Sequence, residues 1–255
     1  MNRKLLIEKL LLLISNLKVF KGVISLTLIG IMGCQGFLEI NDTVIFNNDF
    51  EFDAQGWRVG YSDYPSNLTL TDSLELYQFR FGYSQLPQEI SPPQFGIRVR
   101  GINRSDDLFM YLKKQIIGLE PNQSYRITFS IEIASNVPTN AVGAGGAPGE
   151  SVYLKAGAKE YEPLNFVDEN NFYRLNVDKG NQSIVGIDAT LLGNIGVSDT
   201  TTIYELILRE SQTSLICKSN SDGAIWVFVG TDSGYEGLTE IYYNSIRVTA
   251  TSQRN

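Results

Sequence analysis

Three acidic side chains alternate with phenylalanines in the segment Asp49-Phe-Glu-Phe-Asp53. On a strand, successive side chains project to opposite faces, so Asp49, Glu51 and Asp53 would share one face while Phe50 and Phe52 face the core. Carboxylate oxygens are the ligands that hard cations such as calcium prefer, so the three acids are candidate metal ligands. A solvated polar face without metal is the alternative, and it stays open.

Aromatic residues cluster just downstream, at Trp57, Tyr61 and Tyr64, with Asp63 among them. Sugar rings stack on exposed aromatic side chains because their CH-rich faces are apolar, while their hydroxyls need polar partners. The glycines before Trp57 and Tyr61 and the proline after Tyr64 predict a loop that bends outward. We therefore expect a ligand-binding lip formed by Trp57, Tyr61 and Tyr64, with Asp63 accepting hydrogen bonds. Packing in the core is the alternative.

A further candidate site is the segment Thr231–Gly237, whose glycines allow the backbone to curl around a ligand. It would offer Asp232, Ser233 and Glu236 as oxygen donors. Its spacing is not that of an EF-hand calcium loop.

The chain has no histidine and two cysteines. This composition excludes Ser-His-Asp and Cys-His catalysis and histidine-ligated metal sites. Cys217, in Leu-Ile-Cys-Lys, is predicted to pack as a small hydrophobic residue on a strand. With no recognisable catalytic motif either, we expect a protein that is not an enzyme.

An uncharged apolar run at residues 22–33 follows five basic residues and ends at Cys34. It is too short to span a bilayer, and Ile31-Met-Gly-Cys34 resembles the cleavage motif of bacterial lipoproteins. The resemblance implies lipidation of the Cys34 thiol and a location in the bacterial cell envelope, anchored to the membrane and facing the periplasm or the exterior. We expect a signal peptide at 1–33, a lipidated tether at 34–41 and one domain at 42–255. A transmembrane anchor is the alternative.

The net charge of −7 becomes more negative without the basic leader, because residues 1–33 hold five of 21 basic residues and one of 28 acidic residues. This acidity argues against nucleic acid as a partner and against electrostatic binding to anionic lipid. Any membrane contact should therefore come from the lipid anchor only.

Downstream of Cys34, short segments rich in Val, Ile, Tyr, Phe and Thr recur between turn residues, which is typical of strands. About ten antiparallel strands are expected, forming a two-sheet jelly-roll sandwich in an all-β domain. The segments that carry this prediction are 74–83, 96–102, 108–117, 125–133, 152–156, 172–177, 203–208, 224–230 and 240–249.

Three stretches resemble the galactose-binding-like jelly roll of carbohydrate-binding modules. They are Phe46–Trp57, Leu119–Ile131 and Glu240–Val248, and they bracket nearly the whole domain. The resemblance implies a structural calcium joining the first strand to the last, with Asn244 where the family has Asp. Other strings resemble uncharacterised bacterial lipoproteins, which implies no activity.

These observations favour a membrane-anchored lipoprotein with a non-catalytic jelly-roll domain that binds glycan. A structural or assembly lipoprotein that binds a cell-envelope protein is the second hypothesis. A glycosidase-like enzyme using two carboxylates ranks last, because the two groups must sit about 5–10 Å apart across a cleft.

Overall fold

The structure is a computed structural model, and it describes residues 42–198, 200 and 202–253. The described residues belong to one compact unit. No helix in this part of the chain is long and apolar enough to cross a membrane.

Two antiparallel sheets form the body of the molecule. The seven-stranded sheet, here called sheet A, contains β1 Thr43–Asn48, β4 Arg80–Gln85, β5 Phe95–Ile102, β7 Ser124–Ser135, β12 Glu205–Glu210, β13 Leu215–Lys218 and β15 Leu238–Ser252. The five-stranded sheet B contains β2 Arg58–Ser62, β6 Leu108–Ile117, β8 Val152–Lys159, β11 Ala189–Asn194 and β14 Ala224–Ser233. A small third sheet contains β3 Tyr64–Pro65, β9 Asn165–Val167 and β10 Phe172–Leu175.

The long strand β15 organises sheet A, whose main order is β12-β7-β15-β5-β4. Strand β1 also pairs with β15, and β13 pairs with β7. Sheet B has the order β11-β8-β14-β6-β2. The predicted all-β, two-sheet antiparallel sandwich is confirmed.

The main core lies between the two sheets. Alternating residues of β7 and β15, such as Ile131 and Val248, meet alternating residues of β6 and β14, such as Met110 and Val229. Their neighbours on β6 and β14, including Phe109 and Phe228, form a second, smaller core on the outer face of sheet B. Sheet B is therefore buried on both faces, which explains its nearly continuous apolar strands.

One predicted strand is partly wrong. Residues 74–83 were expected to be extended, but helix α1 occupies Leu70–Leu76 and β4 begins only at Arg80. Thr69 caps the helix, since its hydroxyl accepts a hydrogen bond from the Asp72 amide at 3.1 Å and donates one to the Asp72 carboxylate at 2.8 Å. This cap satisfies one backbone donor at the helix start, the Asp72 amide, and favours the helix over a strand.

Candidate ligand-binding groove

The chain turns sharply after β1, so residues 49–53 do not form the predicted strand with side chains on alternating faces. Strand β1 ends at Asn48, and Phe50 takes a positive φ of 53°. Phe50 is fully buried, whereas Phe52 is 80% exposed. The prediction that both phenylalanines face the core is therefore wrong for Phe52. A bulky residue in the left-handed region is strained, and such strain concentrates at functional sites.

The acids of this turn hydrogen-bond to their own loop. Asp49 Oδ1 accepts hydrogen bonds from the Glu51 amide at 3.2 Å and from the Gln55 side chain at 2.9 Å. Asp53 Oδ1 accepts one from the Gln55 amide at 2.6 Å. These bonds fix the turn, and with it the position of Phe52.

A bulge in β15 faces the turn. The pairing of β15 with β7 shifts register between Tyr243 and Ser245, so Asn244 is the inserted residue. Its Nδ2 donates hydrogen bonds to Glu132 Oε2 at 2.6 Å and to Gln94 Oε1 at 2.9 Å. The bulge thus holds three polar side chains from β15, β7 and the loop before β5 in one network.

The turn and the bulge border a groove on the solvent face of sheet A. Glu132 belongs to this face because Ile131 and Ile133 on either side of it are buried. One cavity of the groove, about 600 Å³, is lined by Asp49, Glu51, Phe52, Pro93, Gln94, Phe95, Glu132, Asn244 and Ser245. The next, about 470 Å³, is lined by Asn47, Asn48, Asp49, Ser130, Glu132, Leu208, Glu210, Ser245, Ile246 and Arg247. Asp49, Glu132 and Ser245 border both cavities, so the two lie side by side.

Aromatic rings form one rim of the groove. Phe52 and Phe95 line the larger cavity, and Tyr83 stacks on Phe95 with 5.5 Å between ring centroids. The Tyr83 hydroxyl donates a hydrogen bond to the backbone oxygen of Glu51 at 2.8 Å, which ties the rim to the turn. Partial desolvation and then the charges of Asp53 and Glu51 raise the pKa of Tyr83, so it stays a neutral donor.

The predicted calcium ligands are only partly brought together. Asp49, Glu51 and Asn244 line the same cavity, whereas Asp53 does not. In the described part of the chain, the acidic side chains whose oxygens all lie within 4.8 Å of one another are Asp63, Asp107 and Asp232, a different set. Calcium at the first set stays a prediction.

The predicted aromatic lip is wrong, because Trp57, Tyr61 and Tyr64 are buried. Residues 60–65 are not a loop, since Tyr61 lies on β2 and Tyr64 on β3. The rings of Tyr61 and Tyr64 stack at 4.5 Å, and the Tyr61 hydroxyl hydrogen-bonds to Ser73 at 2.7 Å. These side chains therefore pack the end of the sandwich against α1.

Asp63 is buried as well, and it binds cations of the chain itself. Its carboxylate pairs with Arg174 at 2.8 Å and with Lys179 at 3.0 Å. The hydroxyl acceptor predicted here is thus engaged in ion pairs.

The alternative loop site is also not assembled. Asp232 and Ser233 belong to β14 and are buried, whereas Glu236 is exposed. The Ser233 hydroxyl donates to the Tyr235 backbone oxygen at 2.9 Å, which closes the turn after β14. Asp232 points into the ion cluster of Asp63.

Sequence reasoning missed the groove residues Phe52, Gln94, Phe95 and Glu132. A signal was present for Glu132, which is the one acid in an otherwise apolar and hydroxyl-bearing strand, Ile127–Ala134. Nothing in the sequence indicates Phe52, since its exposure depends on the backbone at Phe50.

No protein-family model and no curated protein matches the chain. Solved structures to which it is similar include a carbohydrate-binding module that recognises mannan, with 10% identity, 84% of this chain and 99% of that chain covered and a TM-score of 0.36. A Stig cyclase from Fischerella sp. TAU has 10% identity, coverage of 81% and 95%, and a TM-score of 0.37. The enzymatically active domain of tailspike protein 4 from bacteriophage CBA120 has 10% identity, coverage of 78% and 20%, and a TM-score of 0.34, so the chain spans one fifth of it. Carbohydrate-binding modules, the class that the sequence resembles, are thus among the similar structures; we draw no conclusion on function from these likenesses.

Proposed function

We propose that the groove on sheet A binds a glycan chain. The observation that carries this proposal is Phe52, a phenylalanine that is 80% exposed beside a polar floor. Covering an exposed aromatic ring with an apolar surface lowers the free energy of the complex, and the CH-rich face of a sugar is such a surface.

The polar floor suits sugar hydroxyls. Asn244 donates hydrogen bonds to both Gln94 and Glu132, which hold the three side chains in place. Ligand binding therefore costs little side-chain conformational entropy. Carboxylate and amide oxygens accept hydrogen bonds from hydroxyls, and amide nitrogens donate them. An apolar wall with a few fixed polar groups is the usual composition of a small-molecule site.

The two cavities lie side by side, which favours an extended ligand over a single sugar. They meet at Asp49, Glu132 and Ser245, and the second cavity continues to Leu208 and Glu210 on β12. A chain of several sugar units could therefore contact the phenylalanines at one end and the polar residues of β7 and β12 at the other.

A glycan array followed by calorimetry with the best oligosaccharide tests the proposal. Phe52→Ala removes a ring worth roughly 1.5–3 kcal/mol when buried, so we expect Kd to rise about ten- to hundredfold while the melting temperature stays unchanged. Phe166→Ala is the matched control, because Phe166 is an exposed phenylalanine of β9, outside the groove. Equal affinities for both variants, or no binder on the array, would contradict the proposal and leave a cell-envelope protein as the ligand to seek.

We propose binding without catalysis, because the chain has no histidine and no recognisable catalytic motif. Incubation of the best oligosaccharide with the protein should leave its chain length unchanged. A shortened product would favour the carboxylate-based enzyme instead.

We further propose that the protein is anchored to a cell-envelope membrane through Cys34, which lies outside the described residues. The support is the apolar run at residues 22–33 that ends at this cysteine. In cells, Cys34→Ser should move the protein from the detergent phase to the aqueous phase. A wild-type protein found in the aqueous phase would contradict the anchor.

A further inference from the structure

A cluster of buried charges lies on the outer face of sheet B, away from the groove. Residues 177–188, here called the strap, run across β8 and β14. Lys155 of β8 is fully buried beneath it, and its Nζ donates hydrogen bonds to the backbone oxygens of Lys179 and Ile184 at 3.0 and 2.9 Å. Under the strap lie the rings of Phe109 and Phe228.

Asp232 of β14 holds the strap from below. Its Oδ2 accepts hydrogen bonds from Lys155 at 2.9 Å, from Lys179 at 3.0 Å and from the Gln182 amide at 3.0 Å. Two of these three donors belong to the strap. The contact is therefore electrostatic and depends on the charge state of Asp232 and its neighbours.

Two buried oxygen atoms in this cluster have no hydrogen-bond donor among the described residues. They are Asp107 Oδ1 and Asp232 Oδ1, and Asp232 is fully buried. The other oxygen of Asp107 pairs with Arg174 at 3.2 Å. Carboxylate oxygens of Asp107 and Asp232 lie within 4.8 Å of one another. A carboxylate oxygen that is buried without a donor is costly, so a cation or a proton is expected between the two side chains.

Either a metal cation or a proton could lie there, and the neighbours favour the proton. Calcium requires six to eight oxygen ligands. Both oxygens of Asp63 already bind Arg174 and Lys179, and Asp232 Oδ2 already binds two lysines. Only Asp107 Oδ1 and Asp232 Oδ1 remain as ligands, and three cationic side chains surround them, which makes a poor metal site. One proton, in contrast, gives both oxygen atoms a hydrogen-bond partner.

We propose that Asp107 and Asp232 share one proton between their Oδ1 atoms, and that this proton fastens the strap to sheet B. While the proton is present, Asp107 donates a hydrogen bond to Asp232. When it leaves, two carboxylates face each other in a buried site, and detachment of the strap admits the water that solvates them. Detachment uncovers the aromatic surface of Phe109 and Phe228.

The surrounding charges set the pH at which this happens. Burial raises the pKa of Asp107 to about 7 against the pull of Lys179, and the charges of Asp232 and Asp63 raise it further. Burial acts to raise the pKa of Asp232, but the charges of Lys179 and Lys155 outweigh it and hold this pKa below its usual value. The proton therefore resides on Asp107. Arg174, which pairs with Asp107, also binds Asp168 at 3.2 Å. The Tyr111 hydroxyl, whose pKa is raised by burial and the charges of Glu162 and Asp63, stays neutral throughout.

The sign of the pH effect follows from the raised pKa. Between the ordinary pKa of 3.8 and about 7, the folded protein holds a proton that the unfolded chain has lost. The fastened state is therefore fully stabilised at low pH and loses stability as the pH rises through about 7. The Asp107 side chain reaches a cavity of about 260 Å³, which gives the proton a route to solvent.

Hydrogen exchange of the full chain tests the proposal. We expect protection factors of residues 177–188, corrected for the intrinsic pH dependence of exchange, to fall about tenfold between about pH 6 and 8.5, while those of β15 stay constant. Asp107→Asn supplies a permanent donor to Asp232, so its strap should stay protected at both pH values. Asp222→Asn, in an exposed turn, is the control and should behave like the wild type.

Infrared spectroscopy of the wild type provides a test that needs no variant. One protonated aspartic carboxyl should be visible at about pH 6 and vanish above about pH 8. A strap whose protection is independent of pH, an Asp107→Asn protein that keeps the wild-type pH dependence, or the absence of that carboxyl band would each overturn the proposal. So would a bound metal that elemental analysis finds in the wild type but not in Asp107→Asn, since a cation would then occupy the position assigned to the proton.

Discussion

Lys155 offers a sharp test of how the strap is held, because it is a lysine with no exposed surface at the centre of the charge cluster. Lys155→Met keeps a long unbranched side chain but removes the charge and all three donors. The backbone oxygens of Lys179 and Ile184 then lose their partner, and Asp232 loses one of its two lysines.

The expected cost can be worked from these contacts. Breaking a buried ion pair typically costs about 3–5 kcal/mol, and leaving buried carbonyl oxygens unpaired adds to it. Asp232 keeps Lys179 and the Gln182 amide, which places the loss toward the lower end, about 3 kcal/mol. For a domain of this size, that corresponds to a drop of roughly 6–12 °C in melting temperature.

Urea denaturation at about pH 6, where Asp107 is protonated, measures this loss as a shift in midpoint at unchanged m-value. Lys218→Met is the control, since Lys218 is exposed on β13 and its substitution should change the stability by less than about 0.5 kcal/mol. A loss below about 1 kcal/mol for Lys155→Met would refute the reasoning, because a buried lysine with three acceptors cannot then be holding the strap.

Three further predictions follow from burial and from the groove. Trp57→Ala should lower the free energy of unfolding by about 3–5 kcal/mol, measured by thermal melting, because Trp57 is 5% exposed and packs in the main core; near-neutral behaviour would contradict its burial. Cys217, whose pKa burial raises to about 12, should resist a thiol reagent at about pH 8 until urea is added. Calcium near Asp49 would stabilise the fold by about 2.7 kcal/mol at a hundredfold excess over Kd, so EDTA should lower the melting temperature; an unchanged melt with no metal by elemental analysis would rule calcium out.

Sequence patterns predicted strands well both where the two faces of a strand are buried, as in β6, and where one face is buried, as in β7. The apolar run at 108–117 matches β6 without error, and the alternation at 125–133 falls within β7. Helix α1 was missed although its signal was present, since Thr69 and Asp72 have the spacing of an N-terminal capping pair. Local hydrogen bonding there outweighs the strand-like composition of the segment that follows.

The groove could not be predicted because its rim depends on one unusual backbone conformation. Phenylalanine rarely adopts a positive φ, so no sequence rule places Phe50 there. The ion cluster is hidden for another reason, because its members come from separate parts of the chain and meet only in the folded protein. They are Asp63, Asp107, Lys155, Arg174, Lys179 and Asp232. A lysine inside the apolar strand Val152–Lys159 was the one local sign of it.

The acidic residues of the groove differ from other acidic residues of the sandwich in their ion pairing, and this difference supports the groove as the ligand site. On and around sheet B, carboxylates are neutralised by lysine or arginine, as Asp63, Asp107, Asp188 and Asp232 show. On the groove of sheet A, Asp49, Glu51, Glu132 and Glu210 form no salt bridge within the described part of the chain. Unpaired carboxylates remain stable there because water solvates them, and a ligand that displaces this water must replace its hydrogen bonds. Neutral sugar hydroxyls do so, whereas an acidic polysaccharide would add negative charge to a groove that holds four carboxylates and one arginine, Arg247, so the charge pattern favours a neutral glycan.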